Sequence, residues 1–317
     1  MDIDEISTFV AIAELGSFTR AAQRLHRTQP AISRRLSLLE HELGTPVFER
    51  IRGNARLTEA GRAFLPYAEA ALAALRDGQA AVRGLRAGLH GSVSLALVGT
   101  LADTHIVDAL RRFQRRAKDV RLELRTASSS EVTNLVRRGE ATVGLRYFTG
   151  DVAELVSLEA GSEAMLVVAE PYHALAGRRI RDASLLANQR WIGFPPSRGE
   201  RDSSGHVLMR QLVRAGLDGS EVVVIDSLTA QKRLAQAGFG LALVPASSVR
   251  DELRRGLLVE LDVPAMRTAI PIVAVHRRNG YLSPAALALL ELLTAEARRP
   301  AVRRQRIAPP RRLVQVR

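Results

Sequence analysis

The chain has no cysteine in its 317 residues, which excludes disulfides, thiolate metal sites and a cysteine nucleophile and fits a reducing compartment. Lysine is nearly missing too, with only Lys118 and Lys232. Arginine therefore fills ordinary surface positions as a matter of composition, and an arginine alone signals nothing. No apolar run reaches the ~18 residues a membrane span needs, and the amino terminus MDIDEISTF is acidic, without the apolar stretch of a signal peptide. A cytoplasmic protein without a membrane partner is expected. The catalytic inventory is equally thin. The seven histidines include no HExxH pair, and no serine has the flanking glycines of a nucleophile elbow. Gly238-Phe239-Gly240 lacks the third glycine of a dinucleotide loop and falls between a helix and a strand, the wrong order for that motif. Ser203, Ser204 and His206 beside Asp202 are neighbours too close in sequence to attain triad geometry readily. No enzymatic activity, cofactor or metal is expected.

What is present starts with length, which predicts two or three domains, and an apolar fraction of 46%, enough to bury real cores. The formal net charge is +13 with an isoelectric point near 11.2, a balance that suggests nucleic acid. Its location argues otherwise, because arginines and acids balance within residues 1–60, while much of the surplus sits in the tail from Arg298, RRPAVRRQRIAPPRRLVQVR. Geometry must carry the argument.

The stretch FTRAAQRLHRTQPAISRRLSLLEHEL, Phe18 to Leu43, reads as two helices meeting at a tight corner. In the first, Phe18, Ala21, Ala22 and Leu25 recur at helical spacing behind Ser17 as a cap. In the second, Thr28 can cap the start, Pro30 lies in the first turn where its missing N–H costs nothing, and Ile32, Leu36, Leu39 and Leu43 line one side. The other side carries Gln29, Ser33, Arg34 and Ser37, which can reach base edges or phosphates in a major groove. Two short amphipathic helices at a polar corner need not bind DNA, so the flanks matter. Ile3, Ile6, Phe9, Val10 and Ala13 form a third helical stripe. Val47, Phe48, Glu49 and Arg50 lead through Gly53-Asn54 into Ala55, Arg56 and Leu57, a hairpin bearing Arg50, Arg52 and Arg56. This is a winged helix-turn-helix.

Residues 9 to 68 resemble the LysR-type transcriptional regulators in spacing as well as residue type: Ala21-Ala22, TQPAIS at Thr28 to Ser33, Leu39-Glu40, Leu43-Gly44, Val47-Phe48 and LTEAG at Leu57 to Gly61. Val47 stands where the family usually has leucine. The resemblance implies DNA contacts from Gln29, Pro30, Ser33 and Arg34 and wing contacts from Arg50 and Arg52. With Thr28 and Ser37 these are the candidate DNA-binding residues.

From Thr58 a long helix is expected, stopped by Gly88 and Gly91, with Phe64, Ala68, Ala71, Leu75, Val82, Leu85 and Leu89 at spacings of four and three and Pro66 kinking it near the start. Such a seam either packs on its own domain or, as the resemblance implies, pairs with its copy in a second subunit. Beyond Gly91 strands alternate with helices, predicting a parallel sheet. The spans are 93–98, 103–116, 120–125, 130–138, 141–145, 164–169, 191–194, 205–215, 221–225, 228–237, 241–245, 270–275 and 284–297. WIGFP and IDSLTAQKRLAQAGFGLALVP carry a weaker family resemblance, which implies two lobes like those of periplasmic binding proteins, crossing near residues 161–165 and 265–269. The expected fold is thus α/β overall. A winged helix-turn-helix domain covers 1–57 and a linker helix 58–90. Lobe I comprises 91–163 plus 267–298, lobe II 164–266, and a basic tail 299–317.

Ligands of open α/β sheets gather at strand carboxyl ends and helix amino termini. That rule, and the resemblance, select Thr100, Ser128, Ser129, Arg146, Ser203 and Ser227 as candidate effector contacts, although each hydroxyl could equally be a helix cap. The functional expectation is a sequence-specific regulator whose cleft senses a small anionic effector, a carboxylate. Its partners would be double-stranded promoter DNA, the effector, and copies of itself as a homodimer through the linker helix and a tetramer of two dimers. RNA polymerase is left open as a further partner. The rival readings are a small-molecule-binding protein or an α/β enzyme without DNA function. The tail is either a solvated extension or an auxiliary phosphate-binding arm.

Overall fold

The computed structural model describes residues 1–51, 54–84, 91–148, 150, 152–196, 204–295 and 297. The side chains of residues 50, 51, 83, 84, 204 and 205 fall outside the described set.

The head begins with α1 (Ile3–Leu15), started by a reciprocal cap in which the Asp2 carboxylate accepts from the Glu5 amide at 2.7 Å and Glu5 accepts from the Asp2 amide at 2.9 Å. Next come α2 (Phe18–Arg24), whose Ser17 cap accepts from the Arg20 amide, and α3 (Gln29–Leu43). Strands β1 (Phe48–Ile51) and β2 (Asn54–Leu57) pair antiparallel with Ile51 opposite Asn54. One expectation fails at the corner: Thr28 occupies the N-cap position of α3 but makes no side-chain capping bond. The head core gathers Phe9, Ile12, Phe18, Ile32, Leu39 and Val47. Phe9 lies 5.4 Å from Phe48 and 5.2 Å from Phe64, ring centre to ring centre.

Helix α4 (Glu59–Gly84) continues through Pro66, and residues 85–90 of the expected linker lie outside the described residues. The two readings of its seam divide along the helix. Phe64 and Ala68 pack into the head, whereas Leu75 is 42% and Val82 67% exposed. Thr58 anchors its first turn by accepting from the Gly61 amide at 3.0 Å while donating to the Pro46 carbonyl at 2.8 Å. A Cβ on Gly61 would stand 2.1 Å from the Val47 carbonyl oxygen, which is why that turn needs glycine.

The second half is one mixed sheet, not the parallel sheet expected. Its elements are β3 (Gly91–Val98), α5 (Ile106–Arg116), β4 (Val120–Ala127), α6 (Ser129–Arg137), β5 (Val143–Tyr147), β6 (Leu155–Ala169), β7 (Trp191–Gly193), α7 (Ser204–Arg214), β8 (Val222–Val224), α8 (Leu228–Gln236), β9 (Leu241–Pro245), α9 (Arg250–Arg254), β10 (Val259–Leu261), β11 (Thr268–Arg277) and α10 (Pro284–Thr294). Strand order is β4-β3-β5-β11-β6-β9-β7-β8, with β10 also on β6. Within each lobe β4-β3-β5 and β9-β7-β8 are parallel, but β6 and β11 run antiparallel to their neighbours and to each other. The reason is length: β6 has 15 residues, more than twice the expected strand, so it serves both lobes in one pass and β11 returns beside it. The helix expected from Asp103 starts instead at Ile106, after a 3-10 turn at Gly99–Asp103. Helices α5 and α10 cover one face of lobe I and α6 the other; a separate core under α8 closes the far face of lobe II.

Replacing Gly61 by alanine should lower the stability of the head by roughly 1–3 kcal/mol, the usual cost of overpacking. A lower melting temperature in the purified variant checks this; an unchanged one means the Val47 segment shifts freely.

Candidate nucleic-acid interface and interlobe cleft

Helix α3 buries Ile32, Leu36 and Leu39 and leaves the opposite face in solvent. On that face Thr28, Gln29, Pro30, Arg34 and Ser37 are exposed and Ser33 is half-buried. Six of the candidate DNA contacts thus share one open surface at the start of α3. The Ser37 hydroxyl donates to the Ser33 carbonyl at 3.0 Å, which leaves its lone pairs to accept. Arg50 lies on β1 with its side chain outside the described residues, as is all of Arg52.

Charge is sorted around this surface. Arg35 pairs with Asp4 at 2.6 Å and Arg24 with Glu14, both away from the reading face. Arg27, Arg34 and Arg56 are exposed, and no acidic partner is recorded for them among the described residues. The balanced total of the first 60 residues therefore conceals a cationic side. An exposed helix of this kind fits a major groove, and free guanidinium groups beside it suit phosphates or guanine edges.

The strand registers locate the second site. In lobe I, Val98 is level with Ala127 and Leu97 with Leu145, so the carboxyl ends of β3, β4 and β5 share one edge. In lobe II, Gly193 is level with Val224, and the end of β9 at Pro245 lies beside Met165 of β6. Tyr147 ends β5 opposite Ile272, which in turn faces Gly161. Both carboxyl edges therefore converge on the middle of the β6–β11 ladder. There Ala160 is the extra residue of a bulge and Gly161 takes φ +127°, a conformation that favours glycine.

Candidate residues from both lobes line this edge. Thr100, half-buried in the 3-10 turn after β3, donates from Oγ1 to Tyr147 Oη at 3.0 Å. Ser128 caps α6, accepting from the Glu131 amide at 3.3 Å, and its hydroxyl lies 3.0 Å from that of Ser130. Ser129 opens α6, and Ser227 caps α8 by accepting from the Ala230 amide at 3.4 Å. Arg146 is 6% exposed and donates to the Gly150 carbonyl at 3.2 Å. Ser203 lies outside the described residues. The cap reading thus holds for Ser128 and Ser227, and it coexists with a position at the cleft edge.

Two neighbours, Glu163 and His105, were missed by sequence reasoning, while a third, Tyr147, follows the selected Arg146 at the end of β5. Glu163, 6% exposed on β6, accepts from the Ser247 amide of the 3-10 turn Ala246–Val249 at 2.9 Å. His105 Nε2 lies 3.3 Å from the Ala160 carbonyl oxygen. Burial pushes the Tyr147 phenol well above its ordinary pKa; the Thr100 bond opposes that, while Glu163 and Asp103 add to it. A side chain on a crossing strand carries no motif, so nothing marked Glu163 beforehand.

Two family models match the chain: "Bacterial regulatory helix-turn-helix protein, lysR family" over residues 3–62 and "LysR substrate binding domain" over 86–298. The regulator IlvR of Caulobacter vibrioides is 32% identical over 311 residues, covering 95% of this chain and all of that protein. The RuBisCO operon transcriptional regulator of Allochromatium vinosum is 28% identical over 301 residues, 94% of this chain and 97% of that one. The crystal structure of full-length CbnR complexed with its target DNA superposes with a TM-score of 0.60 at 26% identity, covering 92% of this chain and 99% of that one. These relatives are regulators rather than enzymes.

Replacing Gln29 or Arg34 with alanine should weaken binding to DNA sites recovered by the purified protein by ~1–3 kcal/mol each, at unchanged melting temperature because both side chains are exposed. Mobility shifts at fixed salt measure it; wild-type affinity in both variants would remove α3 as the reader.

Proposed function

Because the chain belongs to the LysR family of transcriptional regulators, we propose that it reads promoter DNA through Thr28, Gln29, Pro30, Ser33, Arg34 and Ser37, with Arg50 and Arg52 on the wing, and that it senses a small carboxylate between its lobes. The division proposed is a head at 1–57, a linker helix at 58–90, lobe I at 91–163 with 267–298, lobe II at 164–266 and a basic tail at 299–317. The observation that carries the sensing half is the meeting of both lobes' strand carboxyl edges at one bulge, with the amino terminus of α6 and its Ser128, Ser129 and Ser130 hydroxyls on the edge. Unpaired amides and the helix dipole favour an anion there.

The charges within the cleft narrow its seat. Glu163 already holds the Ser247 amide, and with Asp103 it makes the Tyr147 end unfavourable for a second carboxylate. The proposed seat of the effector carboxylate is therefore toward Ser128–Ser130 and Arg146, with Thr100 and Ser227 as further candidate contacts; Ser203, also a candidate, lies outside the described residues. The effector acts by binding one arrangement of the lobes better than another.

Helix α4 supplies the pairing surface. Tyr67, Ala71, Ala74, Leu75, Gly78 and Val82 are exposed along one side at spacings of three and four, a seam whose small residues admit a second helix closely. The proposed assembly is a cytoplasmic homodimer through α4, doubled to a tetramer through the regulatory lobes, so that paired heads face one operator.

Two measurements test this. A panel of small mono- and dicarboxylates should contain at least one that raises the melting temperature, by about 2.7 kcal/mol of stabilisation at a hundredfold excess over Kd. Arg146→Ala should abolish most of that shift, and a panel silent on the wild-type protein would count against a carboxylate effector. Separately, Leu75→Glu with Val82→Glu should reduce the mass seen by light scattering, whereas an unchanged mass places the dimer contact elsewhere.

A further inference from the structure

The carboxyl end of α6 grips the DNA-reading half of the molecule. Arg138, the residue that ends this helix, reaches Glu14 of α1 at 2.9 Å, Glu140 at 3.0 Å and Glu131 at 3.2 Å. Its neighbour Arg137 reaches Glu69 of α4 at 3.1 Å. In the opposite direction, Arg76 of α4 donates to the Arg138 carbonyl, one of the acceptors a helix end leaves open. A second anchor lies beside it: Arg277, which ends β11, pairs with Asp77 of α4. That guanidinium passes over Gly139, where a Cβ would stand 2.0 Å from its Nη1.

The character of this junction separates it from a packed core. It borders a partly open pocket of about 140 Å³, where Glu14, Glu69, Arg76 and Arg138 stand beside the apolar Val10 and Leu72. Glu69 is 4% exposed, and its burial raises its carboxyl pKa against the pull of Arg137 and Arg138. Its direct links between head and lobe are ion pairs around an unfilled pocket, the kind of interdomain surface that can part without unfolding either side. Head and lobe meet through α1 and α4, while the exposed face of α3 stays in solvent. The contact therefore sets the direction in which the head points and leaves its reading surface open.

We propose that Arg138 is the centre of an ion-pair latch that fixes the head and α4 on lobe I, and that α6 connects the interlobe cleft to this latch. The nine residues of α6 span about 13 Å. One end carries Ser128 and Ser129 at the cleft edge, the other carries Arg137 and Arg138. A ligand that draws on the first end moves the second, and the head is released or held accordingly. By linkage, whatever reorients the head changes the affinity of the cleft by the same factor. The signalling role of α6 rests on the effector reading given above; the latch itself does not.

The absence of cysteine permits a direct test on the whole chain without ligand. Spin labels on Gln23→Cys in the head and Lys118→Cys in lobe I, both exposed positions, report the distance between the two bodies. The latch predicts one narrow distance distribution, broadened by Arg138→Gln and equally by Glu14→Gln from the head side. The double variant should be no broader than either single one, since both remove the same interaction. Raising the salt should broaden the wild-type distribution more than that of Arg138→Gln, in which, of the pairs named, only Arg137–Glu69 and Arg277–Asp77 remain to be screened. Hydrogen exchange supplies the second arm: Arg138→Gln should speed exchange along α6 as far as Glu131 and Val132. Distributions unchanged in both single variants would eliminate the latch and leave the carboxylate site standing. Faster exchange confined to the last turn of α6 would eliminate its connecting role. A carboxylate panel without effect would remove the effector reading and leave the distance measurements intact.

Discussion

Two strands passing side by side between the lobes set the terms for the rest of the regulatory half. The ladder of β6 and β11 runs from Leu155 opposite Arg277 to Met165 opposite Thr268, so neither lobe can move without flexing the same pair. Its one irregularity, the extra Ala160 before Gly161, falls where the strand carboxyl edges of both lobes converge. A bulge increases local twist and weakens pairing at that point, which makes the bottom of the cleft also its most deformable element. The proposed binding site therefore lies over the one backbone defect of the ladder.

The head is organised by a different constraint, the close approach of α4 to the segment before the wing. Thr58 and Gly61 bring the first turn of α4 against Pro46 and Val47, and Phe64 then reaches Phe9. The helix proposed to pair subunits is thereby a continuation of the core that positions α3. Ala68 and Ala73 are buried toward the head and lobe while Tyr67 and Val82 on the same helix face solvent.

Much of this was readable in residue patterns, and the limits are physical. TQPAIS announces a helix start because proline tolerates only the first turn, and the burial of Ile32, Leu36 and Leu39 follows from their period. The glycine of LTEAG is legible as a motif, yet its cause, the Val47 carbonyl, lies fourteen positions earlier and is visible only in space. Strand alternation correctly indicated two lobes but misjudged direction, because a strand that serves both lobes reads locally like any buried strand. Glu163 and the Arg138–Glu14 pair were invisible for a related reason. Charged residues have no period and no composition signal, and the second pair joins positions separated by 124 residues.

The same point explains why total charge was a poor guide. An arginine-rich chain with few lysines offers guanidinium groups everywhere, and what each does is decided by whether an acid stands within reach. Arg24, Arg35 and Arg138 are paired and orient parts of the protein; Arg27 and Arg34 are exposed on the open side of the head. Salt acts on the two sets for different reasons: counterion release governs any contact an exposed arginine would make with phosphate, and screening acts on the ion pairs at the head–lobe junction. If the proposed latch operates, ionic strength changes affinity and head orientation together, and a salt slope measured on the intact chain counts phosphate contacts only when the junction is held constant. Arginine thus has two roles in one small head, and the neighbouring carboxylates, Asp4 and Glu14 above all, determine which role each residue takes.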